Sequence, residues 1–311
     1  MPRGPAMIYT LTLNPAIDFE LQVADFEFDA VSRALGSRVD CGGKGFNVSR
    51  MLANLKMPSI AMGLVGGPTG DRLSAMLGEL GIDTRFTRIA GETRTNVSLV
   101  QAGGSKHLKV NDTGPSISDE ELAELIGMVR AAARPGDWWV LAGSLPPGVP
   151  DDVYAQLITI LDQQGAFTVL DSSGEALRLG CAAGPTLVKP NLAEAEQLTG
   201  LVVSDAASLT ALAQAVLLLG PASLVLSMGK TGALLATPDE QVECISPRIV
   251  EQNPIGAGDS MVAGLVWGLS QGQSQSGSLT LGIACGAATA SCAGTTLGTL
   301  ADVEALLANS N

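Results

Sequence analysis

The chain has a single histidine among its 311 residues. His107 would have to serve alone in any Ser-His-Asp or Cys-His mechanism, and multi-histidine metal sites are excluded. It sits between Lys106 and Leu108 in a polar stretch, where a surface position is expected. Positive charge is also scarce. Eighteen Lys and Arg stand against 31 Asp and Glu, a formal charge of −13, which argues against nucleic acid or acidic membrane as a partner because both need a positive footprint. The five cysteines form no C-x-x-C pair and read as reduced, mostly buried thiols rather than a disulfide frame or zinc site. No apolar run reaches the roughly 18 residues of a membrane span; Val216 to Leu219, for example, stops at Gly220-Pro221. The first residues lack the basic start and long apolar core of a secretory signal, so a cytoplasmic location is expected. Two nucleotide fingerprints are missing as well. Met261 stands where a third glycine would follow Gly256 and Gly258, and Leu224 where a P-loop ending in Gly229-Lys230-Thr231 needs its first glycine.

Apolar residue is plentiful. Hydrophobic side chains make up 46% and charged ones 16%, enough to fill the core of one large α/β domain. Met7 to Leu13 reads as a strand entering the Asn14-Pro15 turn. Trp138–Ala142, Phe167–Leu170, Thr186–Val188 and Ser223–Leu226 are short apolar runs, separated by helix-compatible segments such as Val153–Asp162 and Leu209–Leu219. That alternation predicts α/β architecture, a doubly wound, mostly parallel sheet. The stretches 18–40 and 85–112 break it, mixing polar and β-branched residues, and predict a small antiparallel β-sheet lid built from two insertions in a single domain spanning 1–311. Gln271 to Ser278 reads as a polar loop, and the small residues from Leu281 to Gly294 as a helix packed tightly against neighbours or a ligand.

Three constellations carry chemistry. In Asn253-Pro254-Ile255-Gly256-Ala257-Gly258-Asp259, a bare turn runs into an apolar helix, so backbone N–H groups and a helix N-terminus can meet an anion. Asp259 at the junction is either a helix cap or a base that takes a proton from an attacking hydroxyl. Cys41-Gly42-Gly43-Lys44-Gly45-Phe46-Asn47 precedes a second helix and can hold the hydroxyls of a polar ligand. Lys189-Pro190-Asn191-Leu192-Ala193-Glu194 follows a buried strand, at the carboxyl edge where doubly wound sheets bind ligands. Arg33, Arg38, Lys44 and Arg50 fall within 18 positions, a concentration of cations that fits an anionic substrate or a solvated face.

With both glycine turns in place the chain resembles the PfkB, or ribokinase-like, carbohydrate kinases along essentially its whole length. The ordered motifs are Asn14-Pro15-Ala16-Ile17-Asp18, Gly42 to Asn47, Gly143-Ser144-Leu145-Pro146-Pro147-Gly148, Asp171-Ser172-Ser173-Gly174, Lys189-Pro190-Asn191 and Gly256 to Asp259. The resemblance implies a ribokinase-like αβα sandwich, ATP and Mg2+ as cofactors, and a β lid that serves as a homodimer contact. Some members also bind a monovalent cation beside the last turn. The chain is closest in pattern to the phosphosugar branch. Lys44 is shared with 1-phosphofructokinases and tagatose-6-phosphate kinases, whereas the minor 6-phosphofructokinases have glycine there. Asn253-Pro254 leans toward the tagatose type and Asp171 to Leu177 toward the phosphofructokinases. The implied reaction is ATP-dependent phosphorylation of a ketohexose monophosphate, fructose 1-phosphate first, with tagatose 6-phosphate or fructose 6-phosphate as alternatives. A non-catalytic sugar-phosphate sensor is the alternative of another class.

Matched residue by residue, the resemblance makes Asp259 the base and the N–H groups of Gly256, Ala257 and Gly258 the anion hole. Asp18, Gly42, Gly43, Asn47 and Ser144 fall on sugar-binding positions. For the substrate's own phosphate Arg33, Lys44 and Arg94 are expected, since a dianion in an acidic protein needs close cations. Lys189, Asn191, Glu194, Ser227, Gly229 and Gly232 are expected on the nucleotide side, with Glu194 reaching magnesium through water.

Overall fold

The computed structural model describes residues 6–104 and 106–309. Its strands are β1 (Ile8–Thr12), β2 (Ala16–Val23), β3 (Ala34–Gly42), β4 (Ile60–Val65), β5 (Asp83–Arg88), β6 (Arg94–Gln101), β7 (His107–Val110), β8 (Trp138–Ala142), β9 (Phe167–Asp171), β10 (Leu187–Val188), β11 (Leu224–Ser227), β12 (Ala233–Ala236) and β13 (Gln241–Cys244). Its helices are α1 (Lys44–Asn54), α2 (Gly67–Glu79), α3 (Asp119–Ala132), α4 (Val153–Gln163), α5 (Gly174–Ala182), α6 (Leu192–Thr199), α7 (Ala206–Leu217), α8 (Ala257–Ser270), α9 (Gln275–Ala290) and α10 (Leu300–Ala308).

Among the described residues the strands form two sheets. The larger runs β13-β12-β11-β10-β9-β8-β1-β4-β5 and is parallel from β11 to β5. Strand alternation divides its core between two faces. Tyr9 and Leu11 pack with Leu157, Leu177 and Leu212 of α4, α5 and α7, whereas Ile8 packs with Val48, Val262 and Ala284 of α1, α8 and α9. Each crossover helix buries one stripe, so the doubly wound expectation holds. Two antiparallel strands, β12 and β13, close the far edge and were not anticipated; each is only four residues long, β12 wholly apolar and buried, β13 alternating exposed and half-buried residues.

The smaller sheet, β3-β2-β6-β7, is built from the two stretches expected to form a lid. Two details differ from the sequence expectation. Residues 85–88 belong to β5 in the large sheet, because Arg85 and Phe86 pair with Met62 and Gly63 of β4; the second insertion therefore starts at Arg94. The lid is also mixed, since β2 pairs with β6 in parallel. The stretch read as a loop to Ser278 ends earlier, because Ser274 caps α9 by accepting from the Gly277 N–H. His107 is exposed in β7, as expected. No described helix is long and apolar enough to cross a membrane.

Candidate active site

The carboxyl ends of β1, β8, β9 and β10 and the starts of α1, α6 and α8 converge, because parallel crossovers place every strand's end beside the next helix's beginning. Gly43 precedes α1 at φ 117°, a conformation that suits glycine, and a Cβ there would meet the Thr12 methyl at 2.7 Å. A Cβ on Gly42 would strike the Asp18 carboxylate at 2.7 Å. The bare turn thus lets β2 and α1 approach. Asp18 accepts from the Asn96 amide at 2.7 Å, which aims it from the lid toward that turn.

Gly256 caps α8 at φ 80°, and Ala257, Gly258 and Asp259 form its first turn. The side chain of Asp259 makes no cap hydrogen bond, so the helix-cap reading falls. Asp259 is instead buried and accepts from Asn47 Nδ2 at 2.8 Å. Burial, then the neighbouring Asp171 carboxylate, push its pKa up to about 6, against the Asn47 bond and the charges of Lys44 and Lys189. A base poised there is ionised at neutral pH yet keeps real proton affinity.

Asp171, quoted above only as part of a motif, is the site's electrostatic centre. Its Oδ1 accepts from Lys44 Nζ at 2.9 Å and its Oδ2 lies 3.2 Å from Lys189 Nζ. Burial raises the carboxyl's pKa, but the two lysines outweigh it and hold it below the ordinary aspartate value. Burial likewise opposes the Lys44 charge, and the Asp171 carboxylate more than compensates, so Lys44 stays protonated. The Lys189 ammonium lies 3.7 Å from where a Gly258 side chain would begin, beside the first-turn N–H groups of α8. Placement at the end of a buried strand was the sequence signal for Asp171; that it binds both lysines was not legible.

Beside this centre lies a cleft of about 960 Å³ lined by Asn191, Ser227, Gly229, Gly232, Ala257 and Gly258. Of the six residues expected on the nucleotide side, Asn191, Ser227, Gly229 and Gly232 line this cleft while Lys189 and Glu194 do not; Gly286 and Ala287, from the small-residue stretch after Leu281, and Met261 complete one wall. Arg248, from the segment after β13, also lines it and was missed, since nothing in its local sequence marks it. Asn191 and Glu194 are partly spent on capping α6: Glu194 Oε2 accepts from the Asn191 N–H at 2.8 Å and Asn191 Oδ1 from the Glu194 N–H at 2.9 Å. The cap leaves Glu194 Oε1 for a water. Lys230 pairs with Glu251 at 3.5 Å across the cleft.

A second cavity, of about 470 Å³, is lined by Asn14, Arg94, Thr113, Ser144 and Gly148. Arg94 reaches it from the start of β6, its Nη2 donating to the Asn14 carbonyl at 2.8 Å and its buried Nε left without a partner. The basic cluster read from spacing is mostly not here. Arg38 and Arg50 are both committed to Asp40, at 2.6 and 3.2 Å. Arg33 is exposed at the outer end of the smaller sheet, just before β3, whose extension puts roughly 30 Å between it and Gly42. Within its own chain Arg33 does not reach the site. Of the four cations, only Lys44 meets the buried Asp171 carboxylate directly, while Arg50 stands one side chain behind, donating to Asn47 Oδ1 at 3.0 Å.

Residues 7–302 match the model of the pfkB family carbohydrate kinases. A 1-phosphofructokinase of Xanthomonas campestris pv. campestris is 40% identical over 260 residues, 82% of each chain. A tagatose-6-phosphate kinase of Staphylococcus epidermidis is 34% identical, covering 85% of each. The crystal structure of phosphofructokinase-2 from Escherichia coli in complex with potassium superposes with a TM-score of 0.94 at 29% identity, covering 98% of this chain and 99% of that one.

Proposed function

We propose that this chain, which belongs to the pfkB family of carbohydrate kinases, transfers the γ-phosphate of ATP to a hydroxyl of fructose 1-phosphate, giving fructose 1,6-bisphosphate and ADP. The chain is an ATP-dependent sugar kinase. The observation that supports this reading best is the buried Asp259 carboxylate, at the first turn of a helix whose neighbouring N–H groups line the large cleft. Asp259 takes the proton as the sugar oxygen bonds to phosphorus and the bond to ADP breaks. The N–H groups from Gly256 to Gly258 and the Lys189 ammonium stand where charge accumulates on the phosphoryl oxygens. Magnesium, when carried in on the nucleotide, neutralises phosphate charge. Among the described residues no three His, Cys, Asp or Glu side chains form a metal site, so Glu194, through water, and the phosphates themselves would hold it.

Lys44 and Arg94 are the cations for the substrate's own phosphate, with Asp18, Asn47, Ser144 and the Gly42-Gly43 turn around the sugar. Tagatose 6-phosphate is the second reading, favoured by the Staphylococcus epidermidis relative. An ADP-release panel over fructose 1-phosphate, fructose 6-phosphate, tagatose 6-phosphate and unphosphorylated sugars decides it. The highest kcat/KM is expected with fructose 1-phosphate, falling at least tenfold for Arg94→Met. Preference for an unphosphorylated sugar would remove the role given to Lys44 and Arg94.

The enzyme works in the cytoplasm, where its nucleotide is available, and as a homodimer through the lid. Phe28, Val31 and Leu35 are 88%, 97% and 66% exposed at the lid's outer end, and Val110 is 59% exposed on β7. Such a grouping of bare apolar side chains marks a contact surface. Sedimentation of a Phe28→Asp, Val31→Asp double variant should show half the mass of the parent; an unchanged mass would exclude the lid as the contact.

A further inference from the structure

The side chain that holds Asp259 is itself held from behind. Asn47 Nδ2 donates to Asp259 Oδ2 at 2.8 Å, and the other end of the same amide, Oδ1, accepts from Arg50 Nη1 at 3.0 Å. An amide is nearly symmetric in shape and opposite in polarity at its two ends, so its surroundings decide which end faces forward. A guanidinium offers donors only. With Arg50 behind it, Asn47 has to turn its carbonyl backward and its amino group toward the carboxylate. We propose that Arg50 is a positioning residue for phosphoryl transfer, which fixes the Asn47 amide so that a donor and never a carbonyl meets Asp259. The inference rests on Asp259 being the base.

The local fold provides the arrangement. Asn47 and Arg50 are three residues apart on α1 and share a face. Arg50 is in turn oriented by β3: Nη1 also donates to the Cys41 carbonyl at 3.0 Å and Nη2 to Asp40 at 3.2 Å. Asp40 is further held by Arg38 and by the Thr295 hydroxyl. Joining β3 to α1 needs only the contacts to Cys41 and Asp40, so the bond to Asn47 Oδ1 is left over from a purely structural account. The charged groups around Asp259 are Asp171 from β9, Lys44 from α1 and Lys189 after β10, while Arg50 faces Asp40 and, beyond it, Arg38. Donation from Asn47 favours the ionised form of Asp259; a reversed amide would set a carbonyl against a carboxylate and favour the protonated form.

The test is the pH profile of kcat for the parent chain and for Arg50→Met, Arg50→Lys, Asp40→Asn and Asp259→Asn. Arg50→Met should move the acid limb up by about one pH unit, costing about tenfold in kcat below the limb and little above it. KM for ATP and sugar phosphate should stay within about twofold. Arg50→Lys, which keeps one cationic donor, should fall between. Asp40→Asn removes the charge behind Arg50 but leaves the donor to Asn47, so it should lower thermal stability with the limb in place. An unmoved limb in Arg50→Met overturns the proposal, as does an unmoved limb in Arg50→Lys should the methionine variant not fold. A limb displaced equally in Asp40→Asn also overturns it, since the shift would then follow the charge network and not the amide. Turnover retained in Asp259→Asn instead removes the premise, and is read separately.

Discussion

Asp259→Asn is expected to lower kcat by about 10²- to 10⁴-fold while ATP and sugar phosphate still bind, because general-base contributions have that size. The substitution keeps the shape of the side chain and a partner for Asn47, so α8 and the cleft should be undisturbed. What it removes is the proton acceptor. In the parent chain the group's pKa is raised to about 6. With Asp259 as the proposed base the carboxylate would be the active form, so kcat/KM should fall as pH drops through that value and level off above it. Stopped or coupled ADP assays across the pH range, with isothermal binding of each substrate, check both halves. Turnover near the parent level would mean that the sugar hydroxyl loses its proton elsewhere.

Asp171→Ala is expected to cost about 3–5 kcal/mol of folding stability, the range found when one partner of a buried ion pair is deleted. Two cations depend on this carboxylate, and the Lys189 side chain is only 5% exposed. The pH dependence gives the effect a signature. Asp171 is held below the ordinary aspartate pKa, so its contribution is present above about pH 4 and is lost as pH falls through the lower folded-state value. Urea unfolding should therefore separate parent and variant strongly at pH 7 and progressively less below pH 4. The acid limb of any residual activity should also move below 6, because Asp171 helps raise Asp259. A variant within about 1 kcal/mol of the parent at pH 7 would show that water or rearranged side chains satisfy both lysines.

Strands such as β8 and β9 were legible because their side chains are buried on both faces, which leaves an uninterrupted apolar run. Turns at Gly43 and Gly256 were legible because their backbone takes a positive φ that suits glycine. Strand β5 was misplaced into the lid because an edge strand with one wet face, Asp83 to Arg88, has the same mixed composition as a lid strand. The parallel pairing of β2 with β6 joins residues far apart in sequence, and no local pattern encodes it. Spacing left the cluster of Arg33, Arg38, Lys44 and Arg50 open between an anion site and a solvated face; strand extension carries Arg33 outward, Asp40 pairs with Arg38 and Arg50, and Arg50 also bonds Asn47. Asp171 was in view but its partners, Lys44 and Lys189, come from opposite sides of it in the chain.

The contact between α8 and α9 has a consequence for where motion can occur. A Cβ on Gly264 would meet Gly282 Cα at 2.8 Å, and one on Gly268 would meet Ser278 Oγ at 2.6 Å, while the Ser260 and Thr289 hydroxyls bond across the seam at 2.8 Å. Two helices in backbone-to-backbone contact have no side-chain layer to shear and behave as one stiff block. That block carries the Gly256 turn at its tip, so the N–H groups proposed to bind the phosphoryl group would be set before any substrate arrives. On the proposed mechanism, adjustment to substrate would be left to the smaller sheet and the loops, and the phosphoryl group would meet dipoles with no reorientation left to undergo.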